Sequence, residues 1–169
     1  MNKPQGYVTS TDDPSNLTVC SLLPEEFIRQ KVVPAGRLDK DTEGLLVFSN
    51  DGDFIHKLIS PKNCIPKTYY IQYEGNLADN ASQMVEKGLL LKDGTVCRCA
   101  DLNLIGCNEC VLTISEGQYH QVKRMIAALG GHVTFLRRIR IGQLEIGSLK
   151  SGETRELSEA EAENLLLFS

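Results

Sequence analysis

The chain has 169 residues, of which 41% are hydrophobic and 24% charged, and a formal net charge of -4. That length supports one domain with its own core, and with no run of about 18 apolar residues a helical membrane span is excluded. The polar start Asn2-Lys3-Pro4-Gln5 lacks the apolar stretch of a signal peptide, so a cytoplasmic location and no membrane partner are expected. The acidic balance speaks against a nucleic-acid partner, but it is uneven. Residues 118–155 hold seven basic and two acidic residues, net +5, while the remainder holds 11 basic and 20 acidic, net -9. A one-faced anion-binding surface produces such asymmetry, and so does an ordinary solvated face.

In chain order, residues 7–10 read as a short strand and residues 11–15 as a turn cluster. The unbroken apolar run at 45–49 reads as a buried strand. Residues 50–53 form a turn able to cap a short helix over 54–59. Residues 67–74 alternate as a strand with Tyr69, Ile71 and Tyr73 on one face. A helix is expected over 78–87, ending at Gly88. Residues 89–91, 96–105 and 110–115 read as a meander turned at Asp93-Gly94 and Gly106. The clearest helix spans 119–129, closed by Gly130-Gly131, with Val122, Met125, Ile126 and Leu129 as its core stripe. A strand over 133–141 follows, and Ser158 with Glu161 predicts a capping box. Mixed short strands and helices indicate an α+β fold, with α/β character, around one large sheet.

The densest cluster of chemistry is Gly36-Arg37-Leu38-Asp39-Lys40-Asp41-Thr42-Glu43-Gly44, which runs straight into apolar Leu45-Leu46. A carboxylate at the mouth of a buried strand is costly unless paired or used. The spacing of Asp39, Asp41, Glu43 and Gly44 also matches the start of an EF-hand loop. That loop requires a bidentate glutamate at its twelfth position, where this chain has Asn50. Cys97, Cys99, Cys107 and Cys110 could in number hold zinc, but the first pair is spaced more tightly than usual. A chain of this size needs no metal staple, so reduced cysteines and no metal are expected.

Three motifs in order, Gly-Arg-Leu-Asp with Asp-Thr-Glu-Gly-Leu-Leu (36–46), Lys-Thr-Tyr (67–69) and Glu-Gly-Gln-Tyr-His-Gln-Val-Lys-Arg-Met (116–125), resemble those of the pseudouridine synthases that modify ribosomal RNA. The stretches 2–7, 10–14 and 114–125 make the chain most similar to the small-subunit (16S) branch. The resemblance implies the pseudouridine synthase fold: a large, mostly antiparallel mixed sheet with flanking helices and a central RNA-binding cleft. It also implies one catalytic domain over 1–169, with two subdomains sharing that sheet.

By the same resemblance, Asp39 is the nucleophilic aspartate, or else the base that starts sugar deprotonation, Tyr69 packs against the target base, and Lys123 is the cation paired with the carboxylate. On a helical wheel Lys123 lies at the border of the apolar stripe, where a lysine can bury its stem and keep its ammonium in use; a nearby cation lowers a carboxyl pKa. RNA contacts are expected from Arg37, Lys40, His120, Arg124, Arg137, Arg138 and Arg140, arginine being suited to bidentate phosphate binding. On a strand Arg138 and Arg140 share one face. His120 is assigned no proton transfer.

Uridine and pseudouridine are isomers, so no cofactor is implied. The implied partner is 16S rRNA, bare or in an assembly intermediate, with 23S rRNA or a non-catalytic ribosome-assembly role as alternatives, and a monomer is expected. Relatives carry a small S4-type domain before Asn-Lys-Pro; here Met1 precedes Asn2, which leads to the expectation of a catalytic domain alone, with weaker RNA affinity.

Overall fold

Hydrophobic alternation and helical periodicity set most elements of the computed structural model, which describes residues 1–167. In chain order these are β1 (Asn2–Lys3), α1 (Glu25–Arg29), β2 (Val33–Ala35), β3 (Glu43–Leu45), β4 (Val47–Ser49), α2 (Gly52–Ile59), β5 (Lys67–Gly75), α3 (Ala81–Glu86), β6 (Asp101–Gly106), β7 (Glu109–Ile114), α4 (Gln121–Ala128), β8 (Gly131–Ile141), β9 (Leu144–Glu145) and α5 (Glu159–Leu166). The backbone falls into two units, Met1–Ile65 with Arg138–Ser169, and Pro66–Arg137. Strand β8 gives its first seven residues to the second unit and its last four to the first.

In the first unit β1 pairs antiparallel with β3, and β2 antiparallel with β4. β3 neighbours the end of β8, which turns back antiparallel into β9. The expected single strand over 45–49 is therefore two strands. Leu46 between them is fully buried and donates its N–H to the Met1 carbonyl, so the chain leaves one sheet and joins another there. Ala35, Leu45, Val47, Leu58, Ile65, Ile141, Leu144 and Leu165 form the core. Helix α2 starts where Asp51 accepts hydrogen bonds from the Asp53 and Phe54 N–H groups, a side-chain cap for otherwise unpaired donors. Helix α5 opens on the expected capping box of Ser158 and Glu161. Residues 7–10 form no strand; one bridge joins Val8 to Thr18.

In the second unit β5 pairs antiparallel with β7, and β7 with β6, with β8 on the other side of β5. Tyr69, Ile71 and Tyr73 share the buried face of β5 as their alternation requires. Val122, Met125, Ile126 and Leu129 of the α4 stripe are each at most 5% exposed, and burying side chains of this size contributes about 1.5–3 kcal/mol apiece. The expected helix over 119–129 begins later, at Gln121, because His120 takes a left-handed conformation with φ 47°. The meander is narrower than expected: Leu90 and Val96 make a single bridge, and β6 starts at Asp101.

Candidate active site

Asp39 lies in the turn between β2 and β3, half-buried, with Leu38 packed into the interior before it and exposed Lys40 and Asp41 after it. The turn is fastened on three sides. The Thr9 hydroxyl donates to the Leu38 carbonyl at 2.8 Å and accepts from the Leu38 N–H at 3.1 Å. The Thr42 N–H closes onto the Asp39 carbonyl at 3.1 Å. From beneath, the wholly buried Lys3 ammonium donates to the carbonyls of Thr42 (2.8 Å), Pro4 (3.0 Å) and Lys40 (3.4 Å).

Burial pushes the Lys3 pKa down from 10.5 to about 8, while the negative charges of Asp41, Asp39 and Glu43 oppose the drop. The three acids that crowd this motif thus share a buried counter-charge. Sequence reasoning gave Lys3 no role, since a lysine in a polar terminal stretch reads as solvated. Gly44 is indispensable to the local path: it sits at φ 111° and a Cβ there would run into the Arg138 backbone.

In the second unit Tyr69 is buried on β5 opposite Leu112, while its neighbour Tyr70 meets Phe135 edge-on at 6.1 Å. Lys123 is half-buried on α4, as its border position on the wheel implies. The entrance to α4 is built from buried polar groups. Glu116 accepts from the Gln121 amide at 2.7 Å and from the Arg98 N–H at 2.9 Å, and the Gln121 side-chain oxygen accepts from the Gln118 N–H at 2.9 Å. Glu116 and Gln121 were not singled out from sequence; only their burial in the fold reveals them.

Of the expected RNA contacts, Arg37, Lys40 and Arg140 are exposed, and His120 and Arg137 half-buried. Lys40 donates to the Asn16 side chain at 2.7 Å. Arg124 pairs with Asp93 and donates to the Tyr119 carbonyl at 3.2 Å. Arg138 departs from the expectation of an open phosphate ligand. It is 4% exposed, and its Nε donates to the Leu45 carbonyl at 2.8 Å and its Nη1 to the Arg37 carbonyl at 3.5 Å. Strand alternation alone could not show that Arg138 is buried while Arg140 is exposed.

A cavity of about 330 Å³ in the first unit, lined by Leu23, Phe27, Leu46, Phe54, Ile146 and Leu157 among others, does not include Asp39. Cys97 and Cys110 are buried and Cys99 and Cys107 exposed. Among the described residues no group of three or more His, Cys, Asp or Glu is placed to hold a metal ion.

The family profile described as RNA pseudouridylate synthase matches residues 1–128, a range that holds Asp39, Tyr69 and Lys123. The chain belongs to the RNA pseudouridine synthase family. This pseudouridine synthase is 45% identical over 163 residues to the ribosomal small subunit pseudouridine synthase A of Escherichia coli (strain K12), covering 95% of this chain and 70% of the relative. It is 41% identical over 166 residues, with the same coverage, to the uncharacterized RNA pseudouridine synthase YtzG of Bacillus subtilis (strain 168). Among solved structures, a crystal structure of a pseudouridylate synthase superposes with a TM-score of 0.91 at 40% identity, covering 98% of this chain and 71% of that one. The enzyme is therefore an isomerase with the pseudouridine synthase fold.

Proposed function

We propose that this enzyme converts a uridine of small-subunit (16S) ribosomal RNA to pseudouridine in the cytoplasm, with Asp39 as its nucleophile. The observation that carries the reading is the 45% identity, over 95% of the chain, to a synthase named for the small ribosomal subunit. The chemistry breaks the C1′–N1 bond and forms C1′–C5; the proton leaves C5, and N1 gains one. Nothing is added or lost, so the site has to supply a charged carboxylate, a wall for the detached uracil and a proton path.

In this reading Asp39 is the carboxylate, Tyr69 the ring against which the uracil packs, and Lys123 the cationic partner of the carboxylate. A uracil drawn out of its stack forfeits a few kcal/mol, which contact with an aromatic ring offsets. The bracing of the Asp39 turn by Lys3 and Thr9 supports the assignment, because a nucleophile must be held in place before substrate arrives. The test is tritium release from C5-labelled transcripts. The reading predicts release from 16S rRNA and none from 23S rRNA; release from 23S alone would reassign the substrate.

A further inference from the structure

Tyr119 stands just before α4 with 76% of its surface exposed, the most exposed of the large hydrophobic side chains among the described residues. Its ring lies against the His120 imidazole, centroids 3.9 Å apart and planes within 17°. Two parallel rings with an open outer face form the start of a stack, and a third flat ring can continue it.

The turn that presents them is tied down by hydrogen bonds. His120 is held at φ 47° and ψ 32°, a conformation that non-glycine residues seldom adopt. The Glu116, Gln121 and Gln118 hydrogen bonds lock the residues on either side, and Arg124 ties the Tyr119 carbonyl down. A backbone outlier fixed this firmly is a reason to look for function.

Resting on the reading of RNA as substrate, we propose that the Tyr119–His120 stack is a docking platform for an unpaired nucleobase of the RNA, a second base besides the target uridine. The surroundings favour a base over an apolar peptide anchor. Gln118, Lys123 and Arg124 are the close neighbours in sequence, and no other large hydrophobic side chain is exposed between residues 106 and 166 among the described residues. The first turn of α4 carries no acidic residue, so it does not repel the phosphates that accompany a stacked base. Stacking of this kind is tolerant of base identity, so the platform adds affinity and register rather than sequence choice.

The probe is an oligouridylate carrying a single 2-aminopurine, whose fluorescence is quenched on stacking, and the variants are Tyr119→Phe, Tyr119→Leu and Tyr119→Ala. Tyr119→Phe keeps the ring and retains quenching. Tyr119→Leu, which keeps bulk without a π-face, and Tyr119→Ala lose the quenching and bind about 10-fold more weakly. In tritium release from 16S rRNA the loss falls on KM, raised about 10-fold, with kcat held within about twofold. Leucine performing as well as phenylalanine would overturn the platform. So would a defect seen on ribosomal particles but not on naked RNA, which would make this surface a protein contact. If the wild-type enzyme released no tritium from any rRNA, the substrate reading would fail, while the quenching series would still decide the platform.

Discussion

Replacing Lys3 by methionine removes the buried ammonium beneath the Asp39 turn at little change in side-chain length. The folded Lys3 pKa of about 8 against 10.5 for an ordinary lysine corresponds to about 3 kcal/mol of cost for carrying the charge. The sign follows from linkage. Below pH 8 both folded and unfolded chains hold the proton and the full cost is present. Between pH 8 and 10.5 the unfolded chain holds it and the folded chain does not, so stability rises with pH. Above 10.5 the gain is complete. Urea unfolding of wild type and Lys3→Met from pH 7 to 10.5 isolates this group, because other titrations cancel in the difference. Wild type should gain about 3 kcal/mol on the variant across that window. A difference that stays flat with pH would refute the buried charge. The variant also leaves the Thr42, Pro4 and Lys40 carbonyls without their shared donor. The loosened turn should lower kcat by about 100-fold, the usual consequence of a nucleophile displaced by about 1 Å.

Gly44→Ala should destabilise by about 3 kcal/mol or more, a fall in Tm of roughly 6–12 °C, since it adds a Cβ against the Arg138 backbone at φ 111°; an unchanged Tm would contradict the close approach. Ser158→Ala should cost about 1 kcal/mol by uncapping α5. The Arg155 hydrogen bonds, with help from Ser158, hold the Glu161 pKa down to about 2. The Glu161 contribution is therefore present above the ordinary carboxylate pKa and is lost as pH falls toward 2, in wild type and variant alike, since both keep Arg155 and the Ser158 N–H. Arg140→Gln should lower the slope of log affinity against log salt for single-stranded RNA by about 0.7, as expected for one lost phosphate contact. Arg138→Gln should instead cost roughly 1.5–3 kcal/mol of stability by losing a buried charged hydrogen bond to Leu45.

What could be read in the sequence was local. The Tyr69-Ile71-Tyr73 alternation and the α4 stripe are set by residues two to four apart, and both took the expected form. The capping box of Ser158 and Glu161 lies within three residues and is present. What could not be read depends on residues far apart in the chain. Lys3 is buried because Thr42, 39 residues on, brings a carbonyl to it. Arg138 is buried because Leu45, 93 residues away, accepts its Nε proton. Residues 45–49 look like one strand because both halves are apolar, and only their different partners, β1 with β3 and β2 with β4, reveal the break. The Asp39 turn is intermediate. Its charge density marked it as functional, but the Thr9 and Lys3 braces come from segments that sequence alone left as a strand and a polar start.

Asp39→Asn is the sharpest measurement. The change is isosteric at a half-buried side chain, so a matching thermal unfolding curve shows that the turn survives. The account predicts that tritium release from C5-labelled 16S rRNA falls by at least about 10³-fold, as loss of a nucleophile does, with RNA binding retained. A folded Asp39→Asn enzyme that releases tritium at a rate near wild type would contradict it.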